Sequence, residues 1–282
     1  MPQTAPVGYR PGVKLWLLGV RGSTPAPGPN YVRYGGHTSC VAVVPSGSKE
    51  PSLLLDAGTG IRTLSEKLTA HAFRGSILVS HLHWDHIEGL PFCRALDRKD
   101  AQVDMYLPAQ DGVSGRDLLA RMMSPPSFPI EPEGLHGTWT FNDVPDGRTK
   151  IEGFAVTSAE ITHKGGRTLG YRIEDETGSF AYLPDHAPSQ GISPEGRALF
   201  EGVDVLLHDA QFLESERAIA DDYGHATITE TIELAADAGV KTLVLFHHSP
   251  VRTDAELDLL GQDLESPIPV IIAREGMTIP LP

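Results

Sequence analysis

Short apolar runs alternate along the chain with polar segments rich in glycine and proline, and this pattern predicts many short strands. Apolar runs of about four to eight residues, bounded by turn-forming residues, are typical of buried strands. In the first half these runs cover residues 13–20, 40–44, 52–56, 76–80 and 103–107. In the second half they cover residues 151–161, 168–174, 179–184, 203–210, 241–246 and 269–273, the last being the expected final strand.

Helical spacing of apolar residues is found in three segments, residues 61–73, 115–123 and 227–240. Gly239 closes the last of them, and Thr227 is a candidate for its N-terminal cap. Strands therefore cluster in both halves of the chain, with helices after them. This order predicts an α/β fold of four layers, an αββα sandwich of two β-sheets flanked by helices.

The remaining segments are predicted to be loops. Residues 21–39 are dense in glycine and proline, and residues 124–134 are too rich in proline for a helix interior. We interpret the second as a lid or interface loop. No segment resembles a domain linker, so we expect a flexible tail over residues 1–12 and a single domain over residues 13–282.

Composition places the chain among globular proteins of ordinary type. Of its 282 residues, 40% are hydrophobic and 21% are charged, which excludes a disordered chain. No apolar run approaches the roughly 18 residues of a transmembrane helix, and the first residues lack the apolar core of a secretory signal. Two cysteines without a CxxC pair, Cys40 and Cys93, fit a reducing compartment, so we expect a cytoplasmic protein without membrane association.

The net charge bears on the partners. Lys and Arg number 23 against 37 Asp and Glu, for a formal charge of −14. Such a surface repels a polyanion, so extended nucleic acid is not an expected partner.

The strongest chemical signal is the motif HLHWDH at residues 81–86, directly after an apolar strand. On extended backbone His81 and His83 point to the same side, because the side-chain period is two. Asp85 and His86 lie where the chain turns toward a helix and can face a second point nearby. Imidazole and carboxylate ligands suit Zn²⁺, Mn²⁺ or Fe.

HxHxDH is the hallmark of the metallo-β-lactamase superfamily, which this chain resembles. Three further candidates follow later apolar runs in the order of that family: His163, Asp185 and His247. The resemblance implies two divalent metal ions, with Zn²⁺ expected and Mn²⁺ as the alternative. It implies that His81, His83 and His163 hold one ion, that Asp85, His86 and His247 hold the other, and that Asp185 bridges them.

Further motifs resemble one branch of the superfamily: LLGVRGSTP, YGGHTSC, LLLDAGTG and SHLHWDHIEGLPF, then LLHDAQF, GHAT and AGVKTLVLFHHSP. They are similar to the cyclic-nucleotide phosphodiesterases that include the phage anti-Pycsar nucleases, a branch related to ribonuclease Z. The resemblance implies hydrolysis of small phosphodiesters by a metal-bridging hydroxide, with 3′,5′-cyclic nucleotides giving linear nucleoside monophosphates. His225, in GHAT, would face the substrate phosphate, and Asp85 would orient or deprotonate the nucleophile.

Other residues are candidates for supporting roles. Asp56 in DAGTG and Asp209 in LLHDAQF are expected to orient ligand imidazoles from behind; the alternatives are a strand-end turn residue and a helix cap. Tyr34 and His37, in the first long loop, are candidate base contacts. His248 is a candidate substrate contact, with the alternative that it takes the ligand role of His247.

Two other functions remain open from the sequence. A ribonuclease Z-like tRNA 3′ endonuclease would share the ligands and the histidine before the last long helix. It is disfavoured by the net charge and by the lack of a clear basic arm for clamping tRNA. A binding protein that sequesters a nucleotide without turnover is disfavoured by an intact ligand set. The resemblance also implies a homodimer, with loops near the mouth of the site contributed across the interface.

Overall fold

Two β-sheets form the centre of the structure, a computed structural model that describes residues 12–68 and 71–281. The strands of the first sheet are β1 (Lys14–Gly19), β2 (Cys40–Val44), β3 (Leu53–Leu55), β4 (Arg74–Leu78), β5 (Gln102–Leu107), β6 (Thr138–Asp143) and β14 (Thr278–Pro280). Those of the second are β7 (Gly147–Ile151), β8 (Phe154–Ile161), β9 (Thr168–Glu174), β10 (Ser179–Leu183), β11 (Val205–Asp209), β12 (Thr242–Phe246) and β13 (Val270–Ile272). Their orders are β14-β1-β2-β3-β4-β5-β6 and β13-β12-β11-β10-β9-β8-β7.

Alternate side chains along a strand point to opposite faces of its sheet. One face packs in the core between the two sheets, and the other packs in a core outside that sheet. In β1, Leu15 and Leu17 belong to the core between the sheets, whereas Leu18 belongs to the core outside the first sheet. In β11, Leu207 faces the other sheet and Leu206 faces the outer helices of the second sheet. The central strands of both sheets are therefore buried on both faces, which explains why they appear in the sequence as nearly continuous apolar runs. The edge strands β6 and β7 are largely exposed.

Helices cover the outer faces and complete the predicted four-layer αββα sandwich. They are α1 (Leu64–Lys67), α2 (Trp84–Ile87), α3 (Gly115–Ala120), α4 (Pro194–Phe200), α5 (Arg217–Tyr223), α6 (Ile228–Asp237) and α7 (Asp254–Asp263). Leu64 and Leu119 pack in the core outside the first sheet, and Leu199 and Ile232 in the core outside the second. Among the described residues, no helix is long and apolar enough to cross a membrane.

Several predicted boundaries need correction. The predicted strand 151–161 corresponds to β8, which begins only at Phe154, because Glu152 and Gly153 form a turn with positive φ angles of 51° and 88°. Ile151 is the last residue of the preceding strand, β7. The predicted helix 61–73 is a 3₁₀ turn followed by the four residues of α1, since Leu68 leaves helical geometry with ψ of 54°. The segment 269–273 contains β13 but is not the final strand, because β14 follows and pairs with β1.

Several elements that are short or rich in polar residues were not predicted: β6, β7, β14, α2, α4, α5 and α7. The helix predicted at 227–240 is confirmed as α6. Its cap is Thr227, whose hydroxyl accepts a hydrogen bond from the Glu230 amide at 3.3 Å. Gly239 follows its end with φ of 68°. The predicted tail over residues 1–12 lies outside the described residues except for Gly12.

A buried arginine anchors the long loop that follows β1. Arg21 is 0% exposed, and its Nε donates a hydrogen bond to the Gly35 carbonyl at 2.7 Å. Its Nη1 donates to the Arg252 carbonyl at 2.6 Å. These bonds fix the start of the loop against the segment after β12, and so fix the position of Ser23.

Core packing between the sheets yields a stability prediction. Leu207 is fully buried between the sheets, so Leu207→Ala should lower the free energy of unfolding by about 2–5 kcal/mol through lost burial and a residual cavity. The control is Leu259→Ala in α7, where the leucine is 57% exposed; its effect should stay within about 0.5 kcal/mol. Urea unfolding followed by circular dichroism measures both, and equal losses would contradict this packing.

Candidate dinuclear metal centre

The carboxyl ends of strands from both sheets meet at one edge of the sandwich. β3 runs parallel to β4 in the first sheet, and β10, β11 and β12 run parallel in the second. All seven ligands predicted from the sequence lie at this edge: His81 and His83 after β4, Asp85 and His86 on α2, His163 after β8, Asp185 after β10, and His247 after β12. The fold therefore brings together side chains that are up to 166 positions apart (247 − 81 = 166).

The donor atoms of these residues form two groups that share Asp185. In the first group, His163 Nε2 lies 3.3 Å from His83 Nδ1 and 3.5 Å from Asp185 Oδ2. His81 Nε2 lies 2.8 Å from His83 Nδ1 and 3.7 Å from Asp185 Oδ2. Four donors thus face a common point.

The second group uses the other oxygen of Asp185. His86 Nε2 lies 3.0 Å from Asp185 Oδ1 and 3.3 Å from Asp85 Oδ2. His247 Nε2 lies 3.2 Å from Asp185 Oδ1 and 3.1 Å from Asp85 Oδ2. The sharing of Asp185 between two groups is the arrangement of a bridging carboxylate.

These distances fit divalent cations. Tetrahedral zinc with ligands at about 2.0–2.1 Å separates its donor atoms by about 3.3 Å. The four distances of the second group, 3.0 to 3.3 Å, are close to that value. Within the described part of the chain, His86 Nε2 and Asp185 Oδ1 are buried and lack a hydrogen-bond partner. Buried polar atoms are rarely left unpaired, so the donor set fits a pair of metal ions.

Burial and charge interactions favour, for most of these ligands, the protonation state that binds a metal ion. Burial alone would raise the pKa of Asp185, but the imidazoles of His247, His86 and His81 hold it well below its ordinary value. Burial lowers the pKa of His81 well below its ordinary value. His86 differs: burial disfavours its charged form, yet Asp185 and Asp85 raise its pKa well above the ordinary value. A cation at the second group would take the place of that proton.

Asp56 lies directly behind the centre and fixes His86. Its Oδ2 accepts hydrogen bonds from His86 Nδ1 at 2.7 Å and from the Tyr182 hydroxyl at 2.8 Å. Its Oδ1 accepts one from the Ser80 amide at 2.7 Å. With Nδ1 committed to Asp56, His86 presents Nε2 to the metal position. The backbone of Asp56 has a φ of 59°, which Asp and Asn tolerate better than most residues.

His225 and Asp209 form a buried pair beside the two ligand groups. Asp209 Oδ2 accepts a hydrogen bond from His225 Nδ1 at 2.7 Å, and His225 Nδ1 lies 4.0 Å from Asp185 Oδ2. Burial opposes the charged form of this imidazole, but the Asp209 carboxylate outweighs burial and raises the pKa of His225 to about 9. The structure thus places Asp209 behind His225 and not behind a metal-ligand imidazole.

A cleft of about 490 Å³ opens onto the centre and is lined by His83, Asp85, His163, Asp185 and His225. Further residues line the cleft that the sequence did not mark as site residues, among them Ser23, Trp84, Lys164 and Tyr223. The amide of Ser23 donates a hydrogen bond to Asp85 Oδ2 at 2.6 Å. Of these residues only Trp84 could have been predicted from the sequence, because it lies inside the HLHWDH motif.

The three predicted substrate contacts do not reach this cleft. The Tyr34 hydroxyl donates a hydrogen bond to Asp258, and His37 Nδ1 lies 2.9 Å from a Glu275 carboxylate oxygen. His248 Nε2 donates to the Ala273 carbonyl at 2.9 Å, and His248 is buried. Their polar atoms are used in internal hydrogen bonds, so the structure of the single chain gives no support for a substrate role. His247, not His248, faces Asp85.

An αββα sandwich with two histidine–aspartate groups at one edge defines a class of metal-dependent hydrolases. The family model of the β-lactamase superfamily domain matches residues 52–248, and the chain belongs to that superfamily. Among curated relatives, ribonuclease Z of Nocardia farcinica is 28% identical over 256 residues, covering 73% of this chain and 80% of the relative. Ribonuclease Z of Gemmatimonas aurantiaca is 26% identical, covering 82% of this chain and 87% of the relative.

Solved structures share the fold at lower identity. A diphosphatase of the PhnP family has a TM-score of 0.70 at 19% identity, covering 96% of this chain and 98% of that one. The short form of human tRNase Z has a TM-score of 0.67 at 20% identity, covering 95% of this chain and 99% of that one. These structures show the fold, and the superfamily match together with the ribonuclease Z relatives makes the chain a metallo-β-lactamase-fold hydrolase.

The role of Asp56 behind His86 generates a prediction about metal affinity. Asp56→Asn keeps a residue that tolerates positive φ but removes the charge that orients the imidazole. We expect metal affinity to fall about 10–100-fold, the usual cost of losing such a partner. Competition with a chromogenic chelator measures it, and Asp100→Asn, at a carboxylate on the surface, is the control. Unchanged affinity in Asp56→Asn would show that Asp56 acts in folding alone.

Proposed function

We propose that the chain is a phosphodiesterase that hydrolyses small phosphodiesters, with 3′,5′-cyclic nucleotides as the substrates and linear nucleoside monophosphates as the products. The observation that carries this proposal is the His225–Asp209 pair, joined at 2.7 Å beside the shared carboxylate Asp185. It supplies an oriented proton donor at a site whose other groups can bind phosphate through metal ions.

The residues of the centre would bind the metal ions and orient the ligands. When bound, two divalent ions would neutralise the phosphate oxygens and lower the pKa of the attacking water. The seven ligands would be His81, His83, Asp85, His86, His163, Asp185 and His247. Asp185 would be a ligand of both ions, and Asp56 would keep His86 in the tautomer that binds.

His225 is the proposed general acid. Its Nδ1 is engaged by Asp209, which leaves Nε2 as the nitrogen for the substrate. The attacking water first loses a proton to solvent. As the resulting hydroxide adds to phosphorus and the bond from phosphorus to the 3′-oxygen breaks, Nε2–H gives its proton to that leaving oxygen. Asp209 stabilises the imidazolium beforehand, consistent with the raised pKa of His225, about 9. The role of Asp85 toward the nucleophile stays a prediction.

The size and charge of the cleft favour a small substrate. The cleft measures about 490 Å³, and Lys164 is the one lysine or arginine among its described lining residues. β9 and β10 are joined by a turn over residues 175–178, so no arm projects between His163 and Asp185. A net charge of −14 adds long-range repulsion toward a large polyanion.

Ribonuclease Z-like cleavage of tRNA precursors is the second candidate function. It is supported by the curated relatives, which are named ribonuclease Z. The matched regions cover 80% and 87% of the lengths of the two relatives described above. The same ligands and the same histidine would serve that reaction. The two candidates differ in how the substrate is held, not in the bond that is broken.

The role of His225 is tested by substitution. His225→Ala should lower kcat by about 10²–10⁴-fold, the usual contribution of a general acid, with bound metal unchanged. His136→Ala is the control, because His136 is an exposed histidine that contacts Asp97 on the surface. A loss of metal equal to the loss of rate would show instead that His225 is a ligand.

The substrate class is tested with a panel. Protein stripped of metal and reloaded with Zn²⁺ or Mn²⁺ is given cAMP, cGMP, cCMP and cUMP, a tRNA precursor, and bis-p-nitrophenyl phosphate. We expect hydrolysis of at least one cyclic nucleotide, absent in His83→Ala. A single cut at the 3′ end of the tRNA precursor, without cyclic-nucleotide turnover, would replace the proposal by the second candidate. Stoichiometric recovery of unaltered nucleotide would indicate sequestration.

A further inference from the structure

A second cleft lies directly beside the metal centre and is mainly apolar. It measures about 450 Å³, and Ile87, Leu90, Phe92, Met122 and Phe128 are among its lining residues. This volume falls within the usual range of pockets for small ligands. We call it the α2 groove, because one wall is the helix that carries Asp85 and His86.

Trp84 joins the α2 groove to the catalytic cleft, since its side chain lines both. It is 74% exposed, although indole is among the largest apolar surfaces a side chain offers. Its neighbours His83 and Asp85 are candidate metal ligands, so the backbone of Trp84 lies next to the centre and the ring lies within reach of it. An exposed aromatic ring held at a catalytic site is suited to stacking on a planar part of the substrate.

Glu88 adds a polar group to this otherwise apolar wall. Its amide donates a hydrogen bond to the Trp84 carbonyl at 2.7 Å, which places it one helical turn after Trp84 and on the same side of α2. Glu88 lines the groove, and its Oε1 is buried without a hydrogen-bond partner in the described part of the chain. Arg121 also lines the groove, but no ion pair joins it to Glu88 among the described residues.

We propose that the α2 groove is a nucleobase subsite, in which Trp84 stacks on the base and Glu88 accepts hydrogen bonds from its Watson–Crick edge. This inference rests on the proposed phosphodiesterase function, because it assigns the base of the same substrate. Continuity with the catalytic cleft through Trp84 favours a part of the substrate as the occupant. A phosphodiester held at the metal centre would place its nucleoside within reach of this ring.

The chemistry of Glu88 selects guanine. A carboxylate only accepts hydrogen bonds, and its two oxygens match two adjacent donors. Guanine offers N1–H beside its 2-amino group. Adenine and cytosine offer an amino group beside an acceptor nitrogen, and uracil offers N3–H between two carbonyl oxygens. Guanine therefore avoids the repulsion between acceptors that the other bases meet.

Binding of reaction products tests the subsite without turnover. The metal-loaded protein is titrated with guanosine 5′-monophosphate and uridine 5′-monophosphate by calorimetry. We expect tighter binding of the guanine nucleotide. Trp84→Ala should weaken both nucleotides by about tenfold, as loss of one stacked base does, and Trp84→Phe should restore most of the affinity. Glu88→Gln should weaken the guanine nucleotide about tenfold or more and the uracil nucleotide little.

Matched controls separate this role from general damage. Leu259→Ala removes another exposed apolar side chain, in α7 and away from the groove, and should leave both affinities unchanged. Metal content is measured in every variant, because Trp84 adjoins the ligands. Equal affinity for the two nucleotides in the wild type, or unchanged affinity in Trp84→Ala and Glu88→Gln, would overturn the subsite.

The outcomes also distinguish this inference from the proposed function. If the guanine nucleotide binds through Trp84 and Glu88 but no cyclic nucleotide is hydrolysed, the subsite stands and the substrate assignment fails. If cyclic nucleotides are hydrolysed with no effect of either variant on KM, the subsite fails alone. A shift of Trp84→Ala from dimer to monomer in sedimentation, with nucleotide affinity unchanged, would assign the groove to a second copy of the chain and overturn the proposal.

Discussion

Asp185 carries a buried negative charge that the surrounding structure has to neutralise from two sides. It is 2% exposed, with Oδ1 facing His86 and His247 and Oδ2 facing His81 and His163. An isolated carboxylate in such a place would be very costly, so the imidazoles and the cations they can bind are required together. Because those imidazoles come from both sheets, the centre depends on the packing of the two sheets against each other.

Each sheet also contributes one buried carboxylate that orients a histidine of the site. Asp56 follows β3 of the first sheet and orients His86, whereas Asp209 ends β11 of the second sheet and orients His225. The first supports a ligand and the second supports a proton donor. Asp56, Ser23 and His247 all have positive φ, between 57° and 62°. Strained backbone of this kind persists only where the surrounding structure over-determines it, and here it surrounds the candidate centre.

The centre accounts for the class of reaction, while other side chains form the rim of the cleft above it. Relatives that share the fold include ribonucleases and a diphosphatase, as expected where one scaffold serves several reactions. In this chain the rim consists of Trp84 on α2, Lys164 after β8 and Tyr223 at the end of α5. Lys164 and Tyr223 lie outside the ligand set, whereas Trp84 stands between the ligands His83 and Asp85.

The sequence by itself determined the buried strands, the superfamily and the candidate ligands, because buried strands are visible as apolar runs and the ligands follow them at strand ends. It did not determine the short elements: β14 has three residues and α2 has four, too few for a periodic pattern. Nor did it show that Asp56 orients the ligand His86 whereas Asp209 orients His225. Only the tertiary structure decided that Tyr34, His37 and His248 are engaged elsewhere and that Trp84 and Glu88 border a groove. These facts depend on contacts between distant segments, which local spacing does not encode.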